Sequence, residues 1–128
     1  MAKKFFGKRI LIAEDDQSIK RVIQEAFAQE GAEIEVATSS NALIAHTMKT
    51  AFDLVIIGRK LEGNDSYAVL GELKEKGTLD DTAIIVLLVQ PEFEDIEDGR
   101  AVGADAFLVK PISIDKLLKT TQKVLEEA

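Results

Sequence analysis

Apolar residues fall along this chain in two alternating rhythms. Ile10-Leu11-Ile12-Ala13 is a short unbroken apolar run, the pattern of a strand buried on both faces. After a turn of acids, Ile19, Val22, Ile23, Ala26 and Phe27 recur at helical spacing, with Ser18 as the expected N-cap and Gly31 as the stop. Glu33-Ile34-Glu35-Val36-Ala37 alternates charged with apolar, as an edge strand with one wet face does. Ser39 or Ser40 then caps a helix to about Thr50, with Leu43 and Met48 as inward candidates. The run Leu54 to Ile57 predicts a third buried strand. It is followed by a turn-rich loop holding Gly58, Gly63, Asn64 and Asp65.

The same alternation continues to the end. A helix from about Ser66 to Lys76 offers Val69, Leu70 and Leu73, and Gly77 stops it. Ala83 to Val89 is the longest apolar run, and its β-branched Ile84, Ile85 and Val86 favour a strand. Pro91 opens an acidic fourth helix to about Val102, Ala106 to Val109 forms the fifth strand, and Ile114, Leu117, Leu118, Thr121, Val124 and Leu125 stripe the last helix. Strand and helix alternating five times predict a (βα)5 chain, a doubly wound parallel sheet covered on both faces. Right-handed crossovers and an alternating strand at one edge favour the flavodoxin-like order 2-1-3-4-5. No linker, repeat or low-complexity tract interrupts residues 1–128, which are read as one domain.

Composition narrows the function classes. A net charge of −7 disfavours sequence-independent binding to nucleic acid. The chain has no cysteine, which excludes disulfides and thiolate-bound zinc and suits a reducing cytoplasm. The basic start from Met1 to Arg9 meets Glu14-Asp15-Asp16 too soon for an export core, and no run is long enough to span a bilayer.

In a doubly wound sheet, a site forms where strand order reverses, at the carboxyl ends of the strands. The residues expected there are Glu14, Asp15, Gly58, Leu88 and Lys110. Clustered acids at that edge suit magnesium, an oxygen-seeking ion, and a lysine beside them neutralises acids or holds an anion. On its own, Glu14-Asp15-Asp16 also fits a solvated turn, Gly58 a loop glycine, Lys110 a surface charge and Leu88 plain core. His46, the lone histidine, is expected on an exposed helix face.

Three fragments carry a resemblance over essentially the whole chain: Ile10 to Asp16, Phe52 to Ile57, and Gly103-Ala104-Asp105-Ala106-Phe107-Leu108-Val109-Lys110-Pro111. In this order and spacing the chain resembles the receiver domain of two-component response regulators. That resemblance implies phosphoryl transfer from a histidine kinase to an aspartate with magnesium, followed by a shift of the face made by the fourth helix, fifth strand and fifth helix. It also implies that Glu14 and Asp15 match the metal-binding acids, Lys110 the phosphoryl-contacting lysine, Pro111 the proline after a cis bond, and Phe107 the switching aromatic. The acceptor position falls on Gly58, which has no atom to carry a phosphoryl group, and the hydroxyl position falls on Leu88, which has no hydrogen bond to offer.

These departures imply a degenerate receiver, or pseudo-receiver: an interaction module rather than an enzyme, acting without phosphorylation in two-component or phosphorelay signalling. Its expected partner is a protein (a histidine kinase, an output domain or a second copy) met through the fourth helix, fifth strand and fifth helix; neither nucleic acid nor membrane is expected. The acids Glu92, Glu94, Asp95, Glu97 and Asp98 of the fourth helix read either as a solubilising face or as a docking surface for a basic partner, with Phe93 and Ile96 as apolar anchors or core residues. No cofactor is expected beyond weak magnesium at Glu14 and Asp15, and Lys110 is expected to pair with one of those acids. Two alternatives remain: phosphorylation at another carboxylate, such as Asp65 or Asp53, and a small-ligand sensor using the cavity beside Gly58.

Overall fold

A computed structural model describes residues 3–127. The elements in chain order are β1 (Arg9–Ala13), α1 (Gln17–Gln29), β2 (Glu33–Ala37), α2 (Ser40–Lys49), β3 (Leu54–Gly58), β4 (Lys60–Leu61), β5 (Asn64–Asp65), α3 (Ser66–Glu75), β6 (Ala83–Leu88), α4 (Phe93–Ala101), β7 (Ala106–Val109) and α5 (Ile114–Glu127). The main sheet runs β2-β1-β3-β6-β7, and every pairing in it is parallel. It is the expected flavodoxin-like order, with β6 and β7 as the fourth and fifth long strands.

The continuous apolar runs have a simple cause. Side chains of a strand alternate between faces, so a strand covered on both sides must be apolar at every position. Ile10, Ile12, Leu54, Ile56, Ile85 and Leu87 pack with Ile23 and Phe27 of α1 and with Leu117 and Val124 of α5. Leu11, Val55, Ile57, Ile84, Val86 and Leu88 pack on the opposite face with Leu43 of α2, Leu70 and Leu73 of α3, and Ile96 of α4. Burying a side chain of this size stabilises by roughly 1.5–3 kcal/mol before chain entropy is set against it.

Several local expectations need correction. Asp16, not Ser18, caps α1, its carboxylate accepting from Ile19 N at 3.1 Å. Ser39 caps α2, accepting from Ala42 N at 3.1 Å. Met48 does not face the core and is 77% exposed; Thr47, one residue earlier, is buried and bonds to Ile44 O. Val22 is also partly outside, at 42% exposed, since α1 buries only Ile23, Ala26 and Phe27. Pro91 precedes α4, which begins only at Phe93. The loop after β3 holds an antiparallel hairpin, β4–β5, whose tip residues Glu62 and Gly63 both have positive φ, 50° and 81°. Two positive φ angles in a two-residue tip match the twist of the flanking strands.

Candidate functional site at the carboxyl edge of the sheet

Parallel pairing brings the ends of four strands to one edge. Gly58 pairs with Leu87, and Leu88 pairs with Val109. The ladder runs on into the loops: Glu14 N donates to Ala37 O, Arg59 N to Leu87 O, and Lys110 N to Leu88 O. The backbone at residues 14, 58 and 110 is thereby held by the sheet's own ladder, which sets where the side chains of Glu14 and Lys110 begin.

Glu14, Gly58 and Lys110 converge there. The Glu14 side chain is only 1% exposed, and its Oε1 lies 2.8 Å from Lys110 Nζ. That contact is ionic rather than a well-aligned hydrogen bond, for Oε1 has no hydrogen-bonding donor on its lone pairs. The second oxygen accepts from Asp16 N at 2.9 Å. Gly58 is part of the same packing, because a Cβ on it would stand 2.8 Å from Glu14 Oε1 and 3.4 Å from Lys60 O. The carboxylate of Glu14 therefore occupies the ground that a side chain at residue 58 would need.

Asp15 separates from this group. It is exposed, and its Oδ2 accepts from Glu62 N at 2.6 Å, tying the end of β1 to the tip of the β4–β5 hairpin. Leu88 is fully in the core. Phe107 is half-buried against the same core cluster, and the Lys110–Pro111 bond is cis. Asp53 lies at the opposite edge, where its carboxylate accepts from Arg9 N at 2.8 Å. The length of β3, about 15 Å at about 3.3 Å per residue, separates it from the crevice. His46 is half-buried rather than free on the surface, with Nδ1 at 3.0 Å from Glu35 Oε1.

The donor set does not suit a tightly held magnesium ion. No group of three or more metal-ligating side chains occurs among the described residues. Glu14 already spends one oxygen on Lys110 and the other on a backbone N–H, and Asp15 spends one on Glu62 N. An ion entering here would have to displace a lysine from a buried carboxylate.

A second cluster beside the crevice has no counterpart in the sequence reading. Arg59, the residue after Gly58, forms ion pairs with Asp65 and, at 3.2 Å, with Asp95 of α4. Its guanidinium carbon sits 3.7 Å over the ring of Tyr67. The Tyr67 hydroxyl donates to Asp95 O at 2.8 Å. Gly99 makes room for this, since a Cβ there would fall 2.6 Å from both the Tyr67 hydroxyl and Phe107 Cε1. Burial works against ionisation of Asp65, but hydrogen bonds from Arg59 and Tyr67 N and the nearby positive charges outweigh it and hold its carboxyl below the ordinary value. Burial also opposes the charge on Arg59, and the two aspartates reverse that, raising it. Tyr67 is pushed up to about 12, first by burial, with Arg59 opposing and Asp95 adding to the rise. The signal missed was Arg59 itself; its partner Asp95 lies 36 residues away, beyond any local pattern.

A five-stranded parallel sheet in this order, with acids after β1 and a lysine after β7, defines a flavodoxin-like α/β protein with its crevice at the carboxyl edge. The chain belongs to the response regulator receiver domain family, whose pattern matches residues 10–122. It is 30% identical over 110 residues to the transcriptional regulatory protein DltR of Streptococcus agalactiae, covering 86% of this chain and 48% of that protein. It is 26% identical over 121 residues to the transcriptional regulatory protein PcoR of Escherichia coli, covering 94% and 53%. The chain spans about half the length of the curated relatives it matches. Among solved structures, the chemotaxis response regulator CheY4 of Vibrio cholerae superposes with a TM-score of 0.85 at 27% identity, covering 91% of this chain and 98% of that one. A CheY-like receiver domain protein from Methanospirillum hungatei gives 0.86 at 26% identity and 94% of both chains. No helix among the described residues is long and apolar enough to cross a membrane.

Proposed function

We propose that this receiver domain works without phosphorylation, as a constitutive protein-interaction module in two-component signalling. The observation that carries the reading is the pose of Glu14. Its buried carboxylate, 2.8 Å from Lys110 Nζ, fills the space over Gly58, where the resemblance in sequence puts the family's acceptor aspartate. Glycine offers no oxygen for phosphoryl attack, and Leu88 offers no hydroxyl to sense a bound phosphoryl group. With both gone, no phosphate is available to bias one conformation over another, and partner binding rests on the state the fold already holds.

The partner surface in this reading is the face of α4, β7 and α5, and the partner is a kinase, an output domain or a second copy of the chain. Phe93 is 73% exposed at the start of α4, beside the exposed acids Glu92 and Glu94, so it is an apolar anchor within an acidic rim. Ile96 is partly buried and packs against the core. A basic partner fits this rim, and its association would weaken with salt. The net charge of −7 argues against nucleic acid as the partner.

Incubation with acetyl phosphate and magnesium, followed by intact mass, tests the reading. The expected result is no added phosphoryl group; a stoichiometric adduct overturns it. Asp53 is remote from the crevice and Asp65 is held by Arg59 and by Tyr67 N, so neither is favoured as a substitute acceptor. Partner capture by wild type and by Gly58→Asp supplies the second arm, with the same partners expected for both.

A further inference from the structure

α4 is the element of the proposed binding face with the least holding it down. Gly99 is its only buried residue, and Glu92, at its N-cap, makes no capping bond from its side chain. Its composition, Phe93 to Ala101, includes Glu94, Asp95, Glu97 and Asp98, all of like charge. A nine-residue helix with that composition is marginal by itself. Yet three contacts converge on its inner side: Arg59 to Asp95, Tyr67 hydroxyl to Asp95 O, and Lys74 Nζ to Ala101 O at 2.9 Å.

Arg59 makes the first of these and stacks on the tyrosine that makes the second. Its fork reaches Asp65, the N-cap of α3, and Asp95 on the first turn of α4, while its flat face lies on Tyr67. Arg59 is also anchored by its own backbone, its N–H donating to Leu87 O and its carbonyl accepting from Ser66 N. One planar cation, partly shielded and touching two carboxylates and a ring, gives orientation as well as attraction.

We propose that Arg59 is a clasp that holds α4 in a single setting against the β3–α3 connection, with no bound ligand required. It is a positioning residue. Only its consequence for partner binding rests on the proposed function; the clasp is a property of the free domain. Its position directly after Gly58 means that the segment carrying no acceptor carries the tether to α4 instead.

Hydrogen exchange of the free protein tests this by itself. Arg59→Ala is expected to speed exchange of the α4 amides from Ile96 to Ala101 by about tenfold or more, while β1 and β3 amides change far less. Arg59→Lys keeps the charge but loses the fork and the flat face, so an intermediate acceleration is expected. Asp95→Asn removes one ion pair and leaves Asp65 in place, and it reads the clasp if Arg59→Ala does not fold. Unchanged α4 exchange in the variants, or an equal rise across α4 and the sheet, overturns the proposal. Neither result depends on a partner or a phosphoryl donor, so the clasp and the phosphorylation-independent reading fail separately.

Discussion

Replacing Lys110 by methionine and Glu14 by glutamine should be markedly unequal, although both break the same ion pair. The two side chains differ in burial: Lys110 is 20% exposed and Glu14 only 1%. Removing Lys110 strands a carboxylate that cannot reach water and keeps only the hydrogen bond from Asp16 N. Removing one partner of a buried pair typically costs about 3–5 kcal/mol; the surviving backbone bond places Lys110→Met at about 2–4 kcal/mol. Glu14→Gln keeps the bond from Asp16 and leaves a lysine whose flexible stem can carry its charge to solvent, so about 1 kcal/mol is expected. The double variant has neither charge and should lie close to Glu14→Gln alone, giving a coupling of about 2–4 kcal/mol. Urea unfolding near neutral pH reads this directly: at a slope of about 1.5 kcal/mol/M, Lys110→Met should lower the midpoint by roughly 2 M. Equal losses in the two single variants, or simple addition in the double, would refute the account of Glu14 as a buried carboxylate dependent on Lys110.

Other expectations follow from the same geometry. Gly99→Ala gains up to about 1 kcal/mol in helix propensity but drives a methyl group to 2.6 Å from Phe107 Cε1 and the Tyr67 hydroxyl. Overpacking against two rings should win, for a net loss of about 1–2 kcal/mol in urea, and an increase in stability would show that α4 shifts freely. The chain has one tyrosine and no tryptophan, so tyrosinate absorbance reports Tyr67 alone. Its folded value of about 12 lies above the unfolded value of about 10, so its stabilising contribution is complete below about pH 10 and disappears as pH rises through about 12. A titration midpoint near 10 in the folded protein would contradict its burial against Arg59. Millimolar magnesium should leave the amide shifts of β1 unchanged, because Glu14 is already committed to Lys110; a saturable titration there would show that the ion displaces the lysine.

Much of the fold was legible because buried parallel strands leave no polar positions. Leu54 to Ile57 and Ala83 to Val89 read as strands from composition alone, although β6 ends at Leu88 and Val89 is 71% exposed, and the charged residues of β2 marked it as an edge. Legibility failed where one residue decides a face or a cap. Met48 and Thr47 are neighbours on α2, and apolar character favoured the wrong one; Asp16 and Ser18 are both good caps, and only the start of the helix separates them. The β4–β5 hairpin was hidden because Glu62 at its tip is not a usual residue for positive φ.

The candidate site divides in the same way. Which residue types stand at strand ends is a property of the sequence, so Glu14, Gly58 and Lys110 were foreseen as neighbours, and the absence of a carboxylate at residue 58 needed no coordinates. Which of two acids takes the lysine was not decided there. Tertiary packing turned Glu14 inward over Gly58 and sent Asp15 to the hairpin, because only an unsubstituted Cα leaves room for a carboxylate at that point. The Arg59 clasp lay wholly beyond the sequence. Local patterns report residues a few positions apart, whereas Arg59 and Asp95 meet only because β3 and β6 lie side by side and deliver the residues that follow them to the same edge.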